Sequence, residues 1–142
     1  MVENERATKL QMAKLLVCCL FFTGMTRIPT NKNLLDGAIK SARRRGAFPP
    51  WGKRGLHFAD GRTGTVCVEL DELLQLASSC GFLEYDSSYC LTKVVVSRWV
   101  ILKLLREELG VGKKKARKWG RFIREGFRAG EGSFYLGEDR GL

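Results

Sequence analysis

The stretch Thr65–Tyr85, TVCVELDELLQLASSCGFLEY, changes its hydrophobic period twice. Thr65–Leu70 reads as a strand. From Asp71 the apolar residues Leu73, Leu74, Ala77 and Cys80 fall on one face at helical spacing, with Asp71 as the cap and Gly81 as the stop. Phe82–Tyr85 then returns to a strand. Working outward, Leu56–Ala59 pairs with Thr65–Leu70 across the turn Asp60-Gly61-Arg62-Thr63-Gly64, and Leu91–Val96 pairs with Phe82–Tyr85 across Asp86-Ser87-Ser88. Ser97 opens a further helix that turns Ile101, Leu102, Leu105 and Leu109 inward and is closed by Gly110 and Gly112. The order from Leu56 to Leu109 is therefore strand-strand-helix-strand-strand-helix.

Helices flank this middle. Ala7–Phe22 carries Leu10, Ala13, Leu16 or Val17, and Leu20 as a stripe, with Gly24 as its stop. A second helix starts after Pro29, capped by Thr30 or Asn31, and shows Leu34, Leu35, Ala38, Ile39 and Ala42 on one face. Arg43, Arg44 and Arg45 fall in its last turn, where the helix dipole favours cations, before Gly46. The last helix spans about Lys113–Arg128, with Ala116, Trp119, Ile123 and Phe127 as its apolar stripe. The fold class expected is α+β: a single small domain with helices at both ends around two β-hairpins and a short helix, plus a basic C-terminal helix. Residues 1–110 form the core and 111–142 the basic helix and tail. A length of 142 residues suffices for one hydrophobic core.

The formal net charge is +10. It sits in two blocks: Gly37–Asp60 is net +5 and Val111–Gly130 net +7, while Gly61–Gly110 between them is net −2. Such blocks point to a polyanion rather than to general solubility, and nucleic acid is the expected partner, DNA ahead of RNA. On the last helix Lys114, Arg117, Lys118, Arg121, Arg124 and Arg128 lie opposite the apolar stripe. Cations four apart repel by about 0.2–0.5 kcal/mol per pair. Gly120 and Gly126 weaken the helix by about 1 kcal/mol each relative to Ala. Both costs are read here as concessions to an anionic ligand. The other expected contacts are Arg43, Arg44, Arg45, Lys53 and Arg54. In the segment Phe48-Pro49-Pro50-Trp51-Gly52-Lys53-Arg54-Gly55, Trp51 either anchors a stiff loop to the core or stacks a base beside the two cations.

Five cysteines, Cys18, Cys19, Cys67, Cys80 and Cys90, form no disulfide rhythm, and an intracellular, reducing compartment is expected. With His57 they match no common zinc spacing, so buried apolar cysteines are expected and no metal or cofactor is assigned. Leu15–Met25 is the most hydrophobic run. It is short of the roughly 20 residues a bilayer needs, so it reads as a buried helix without a membrane span.

Two resemblances add to this. Asp71–Val96 looks like the end of a winged helix, the second hairpin being the wing and Asn31–Arg45 belonging to the helix-turn-helix part. Asp71–Cys80 would then be the reading helix, yet it has no basic residue. Separately, Arg124–Phe134, REGFRAGEGSF, resembles the signature of LAGLIDADG homing endonucleases in the form LAGFIDGEGSF, agreeing at Gly126, Phe127, Gly130, Glu131, Gly132, Ser133 and Phe134. That resemblance implies a helix packed against a symmetric mate, with Glu131 as the acid holding a catalytic divalent metal such as Mg. One copy implies a homodimer contributing Glu131 from each chain, or a second acid such as Asp60. The functional expectation is a nucleic-acid-binding protein that grips the phosphate backbone through basic helical faces, and no catalytic residue is assigned outside the resemblance. Its rivals are a LAGLIDADG-like endonuclease or its inactive remnant, and a basic structural subunit of a ribonucleoprotein or virion.

Overall fold

The computed structural model describes residues 8–30, 33–61, 64–86 and 91–140, with side chains described as far as residue 127 of the last helix. Its first helix, α1 (Lys9–Phe21), starts in a reciprocal cap. The Thr8 hydroxyl accepts the Gln11 N–H at 3.0 Å and the Gln11 side chain accepts the Thr8 N–H at 3.0 Å, which satisfies two otherwise orphaned donors. Met12–Leu20 is buried almost all round apart from Lys14, so α1 is a central rather than an amphipathic helix. Leu10, expected in the core stripe, is 38% exposed.

A short strand β1 (Ile28–Pro29) follows, which the sequence reading missed because two residues carry no readable period. Helix α2 (Leu34–Arg44) begins later than expected. Its N-cap is Asn33 in the left-handed conformation rather than Thr30, and Asn31 lies outside the described residues. Asp36 on α2 is buried and accepts the Cys67 N–H at 2.7 Å, tying this helix to the first hairpin. The Pro-rich segment is not a loop but a one-turn helix, α3 (Pro50–Arg54), with Pro50 at its first position, where a missing N–H costs nothing.

The first hairpin pairs β2 (Phe58–Gly61), which lies two residues later than expected, with β3 (Gly64–Cys67), which is shorter than expected because Leu70 already belongs to α4 (Leu70–Ser79). The second pairs β4 (Leu83–Asp86) with β5 (Leu91–Val94). β5 also pairs with β1, giving an antiparallel three-stranded sheet in the order β1-β5-β4. Ser97 caps α5 (Arg98–Lys103), which widens into a π-helical turn over Leu104–Leu109. Gly110, left-handed at φ 63°, ends it, and the Val111 N–H closes back onto the Leu105 carbonyl at 3.0 Å.

The last helix, α6 (Lys113–Arg140), runs past the expected end at Arg128, since no proline follows to stop it. Its inner face packs on α1 and α2, and α1 is covered on its other sides by α4 and the π-helical turn. Ala116, Trp119, Ile123 and Phe127 therefore join the same core as Leu15, Ile39, Leu73 and Ile101. The chain is an α+β domain with the sheets at its margins. No helix among the described residues is long and apolar enough to cross a membrane.

Candidate nucleic-acid interface

The outer face of α6 is the most charged surface described. Lys113, Lys114, Lys115, Arg117, Lys118 and Arg121 are all exposed, six cations within nine residues. The buried face includes Phe122 beside the four predicted residues. The two glycines lie on that buried face, not on the charged one. A Cβ on Gly120 would sit 2.7 Å from the Phe22 carbonyl carbon and 2.8 Å from the Cys19 oxygen. One on Gly126 would sit 2.9 Å from the Ala38 Cα and oxygen. Both contacts are to backbone, so the glycines permit close helix packing against α1 and α2. The reading of them as a concession to a ligand is corrected.

The same close packing carries the end of α2 to the charged face. The Arg45 guanidinium lies 4.1 Å from the Phe122 ring centroid and bonds to Glu125. Lys118 and Arg121 approach the same ring at 5.7 and 5.9 Å. Arg121 also lies 4.0 Å from Glu125. Three cations therefore approach one aromatic ring, and two of them, Arg45 and Arg121, share the Glu125 carboxylate. The two basic blocks, separated in sequence by a net-negative middle, meet in space.

The remaining predicted contacts divide. Arg44 is exposed beside Arg45, and Lys53 and Arg54 are exposed on α3. Arg43 is half-buried: it donates to the Leu56 carbonyl at 2.9 Å and the Lys53 carbonyl at 3.4 Å, and covers the Phe58 ring at 4.7 Å. Its guanidinium holds α3 and the first hairpin to the end of α2. Arg124 is also half-buried and donates to the Thr23 carbonyl at 3.1 Å, satisfying the open C-terminal end of α1. Both are structural cations in the unliganded chain, unlike the expectation that grouped them with the exposed ones. The Arg128 and Glu131 side chains lie outside those described, and the backbone from Arg124 to Phe134 is helical throughout.

Trp51 is half-buried against the core, and its neighbour Gly52 abuts Leu15 with a would-be Cβ at 2.8 Å, so the anchoring reading of this segment holds for much of the indole. The tryptophan that faces solvent is Trp99, 68% exposed on α5, with the Lys103 ammonium 5.1 Å from its ring centroid. The signal for it was in the sequence. On a helix that turns Ile101 and Leu105 inward, position 99 falls on the opposite side, one turn before Lys103. Lys113 and Lys115 were likewise passed over on α6.

The cysteines and the histidine do not converge. Cys18, Cys19 and Cys67 are buried and Cys80 is exposed, all four unbridged, while Cys90 lies outside the described residues. Burial pushes the Cys18 and Cys67 thiols up to about 12 and Cys19 well above the ordinary thiol range. His57 is engaged with Glu69, whose carboxylate takes both the ring Nδ1 at 2.6 Å and the backbone N–H at 2.7 Å. Among the described residues no three potential metal ligands come together. No family model, curated protein or solved structure matches this chain.

Proposed function

We propose that this chain binds the sugar–phosphate backbone of a nucleic acid, DNA ahead of RNA, through one basic surface formed by α6, the end of α2 and α3. The observation that carries the reading is the cluster at Phe122, where Arg45 from one basic block shares a ring with Lys118 and Arg121 of the other. Gathering like charges around one ring costs Coulomb energy that Phe122 and Glu125 offset in part, and a row of phosphates would offset it further. Lysines and arginines on a helical face neutralise phosphates without reading bases, so the binding is salt-sensitive and weakly sequence-selective.

The sheet order β1-β5-β4, with α1, α2 and α4 before the second hairpin, supports the winged-helix resemblance in topology. In that frame α4 would be the groove-reading helix. Its exposed first turn carries Asp71 and Glu72, which repel phosphate, and Asp71 accepts a hydrogen bond from the Tyr85 hydroxyl at 2.6 Å. The contact therefore belongs on α6, not α4. Five cysteines without a disulfide-scaffold spacing support a reducing, intracellular setting for it.

Fluorescence anisotropy with labelled duplex DNA, single-stranded DNA and duplex RNA across a salt series tests the reading. Affinity should fall steeply with salt, and Lys118→Gln with Arg121→Gln should weaken it and reduce the slope by about 2. Absence of binding to all three near 50 mM salt would overturn it.

A further inference from the structure

Trp99 stands apart from the surface described above in being apolar, large and open to water. Tryptophan is usually well covered, so an indole left 68% exposed calls for a partner. Its surroundings are cationic. Lys103 holds its ammonium 5.1 Å from the ring centroid, and Arg98 and Arg106 are exposed on the residue before it and on the next turn. Arg106 has Glu107 at 3.3 Å, while Glu108, the other acid nearby, is bonded to Lys14.

This patch adjoins the basic surface through one residue. The Arg98 guanidinium lies 5.9 Å from the centroid of the Phe22 ring. Phe22 in turn is the residue against which Gly120 of α6 packs, with a would-be Cβ 2.7 Å from the Phe22 Cβ. On α6, Arg124, four positions after Gly120, bonds the adjoining Thr23 carbonyl. Arg124 of α6 and Arg98 of α5 therefore both stand at the Phe22–Thr23 end of α1, and Trp99 is the residue after Arg98.

We infer that Trp99 is a base-stacking platform and that the strand bound along the basic surface is single-stranded at this point, its unpaired base lying on the indole while Arg98 and Lys103 meet the adjoining phosphates. A duplex keeps its base faces covered by its own stacking, so it offers an exposed indole nothing flat to hold. A cationic groove with an aromatic face beside it is the arrangement that grips single strands without regard to sequence. This rests on the backbone-binding reading above and names its substrate class.

The test uses the full chain, a labelled 20-nucleotide oligothymidylate, a strand of the same length that is abasic at every position, and a 20-base-pair duplex. Trp99→Ala should weaken oligothymidylate binding by about 5- to 100-fold, the effect of one stacked base. Trp99→Phe should restore most of it. Binding to the duplex and to the abasic strand should change less than about twofold, because neither presents a base. The indole is exposed, so the variant should keep its melting temperature, which the same samples report. Equal losses on the normal and abasic strands, or no loss on either while the wild type binds, would overturn the stacking role and leave backbone binding intact. Failure of the wild type on all three ligands would overturn the backbone reading itself. If Trp99→Ala instead lowers binding to phosphatidylcholine–phosphatidylserine vesicles with oligothymidylate binding unchanged, the platform serves a membrane surface and the inference is wrong.

Discussion

Three glycines in two helices allow a direct test of why α6 sits where it does. Ala38 backbone blocks the space a Cβ would need at Gly126, at 2.9 Å, whereas Gly37, one residue away from Ala38 on α2, has nothing within 4 Å. Gly37→Ala should therefore show the ordinary helix-propensity gain, about 0.5–1 kcal/mol. Gly126→Ala receives the same gain but must open the α2–α6 contact by roughly 0.5 Å or more against backbone that cannot rotate away. Overpacking of this kind costs about 1–3 kcal/mol, leaving a net loss of up to about 2.5 kcal/mol. Gly120→Ala, with Cβ at 2.7 Å from Phe22, should lose at least as much. For a domain of this size 1 kcal/mol moves the melting temperature by about 3 °C. Thermal melts followed by circular dichroism should then show Gly37→Ala above the wild type and Gly126→Ala and Gly120→Ala below it. If Gly126→Ala and Gly120→Ala rise together with Gly37→Ala, the helices do not pack this closely and the convergence of the two basic blocks loses its basis.

Sorting the cations gives a second prediction. Arg43→Gln and Arg124→Gln each remove a charged hydrogen bond to a backbone carbonyl and should cost about 1–2 kcal/mol of stability. Lys114→Gln and Lys118→Gln should leave the melting temperature within about 2 °C yet weaken polyanion binding, so plotting affinity loss against stability loss should separate the pairs. Thiol reactivity should divide as sharply: with a maleimide at pH 7.5, Cys80 should label in the folded chain, while Cys18, Cys19 and Cys67 should wait for denaturant, as their burial and raised pKa demand. Asp36 gives a pH signature. Burial raises its carboxyl above 3.8, against the lowering effect of the Cys67 N–H and its own backbone. A raised acid favours the folded state while protonated, and that contribution is lost as pH climbs through the folded pKa. Asp36→Asn keeps an oxygen for the Cys67 N–H without the charge, so denaturant melts should show it gaining on the wild type from pH 3 to pH 7. If Asp36→Asn instead loses ground to the wild type over that range, the carboxylate is stabilised in the fold.

Much of the architecture could be read from residue spacing, for identifiable reasons. Ile39, Leu73, Ile101 and Ile123 lie on strong helical periods, and all four are buried. Asp60-Gly61 and Asp86-Ser87 signal the two hairpins in the sequence by local turn chemistry, although Asp60 and Gly61 end β2 and Asp86 ends β4. What escaped was set by distant contacts. β1 exists because Ile28 and Pro29 find β5 as a partner, more than sixty residues away, and no local pattern encodes that pairing. The true start of α2 depends on Asn33 adopting φ 58°, a conformation Asn tolerates without advertising it. The candidate surface shows the same division. That α6 has a charged face follows from its own spacing. Which arginines remain exposed does not: Arg43 and Arg45 are two residues apart, yet one is turned to the Leu56 carbonyl and the other to Phe122.

That last contrast explains how fold and function are coupled here. Helix termini and loops need cations to satisfy open carbonyls, and Arg43 and Arg124 meet that need at the ends of α3 and α1. Those bonds lock α3 against α2 and α6 against α1, and with the helices so held Arg45, Lys118 and Arg121 meet at Phe122. Once gathered, these charges repel, and Phe122 with Glu125 offsets only the pairs in contact with it. The structural arginines thus hold the others in an arrangement whose repulsion a line of phosphates would relieve, so bound polyanion and folded core should stabilise each other by linkage.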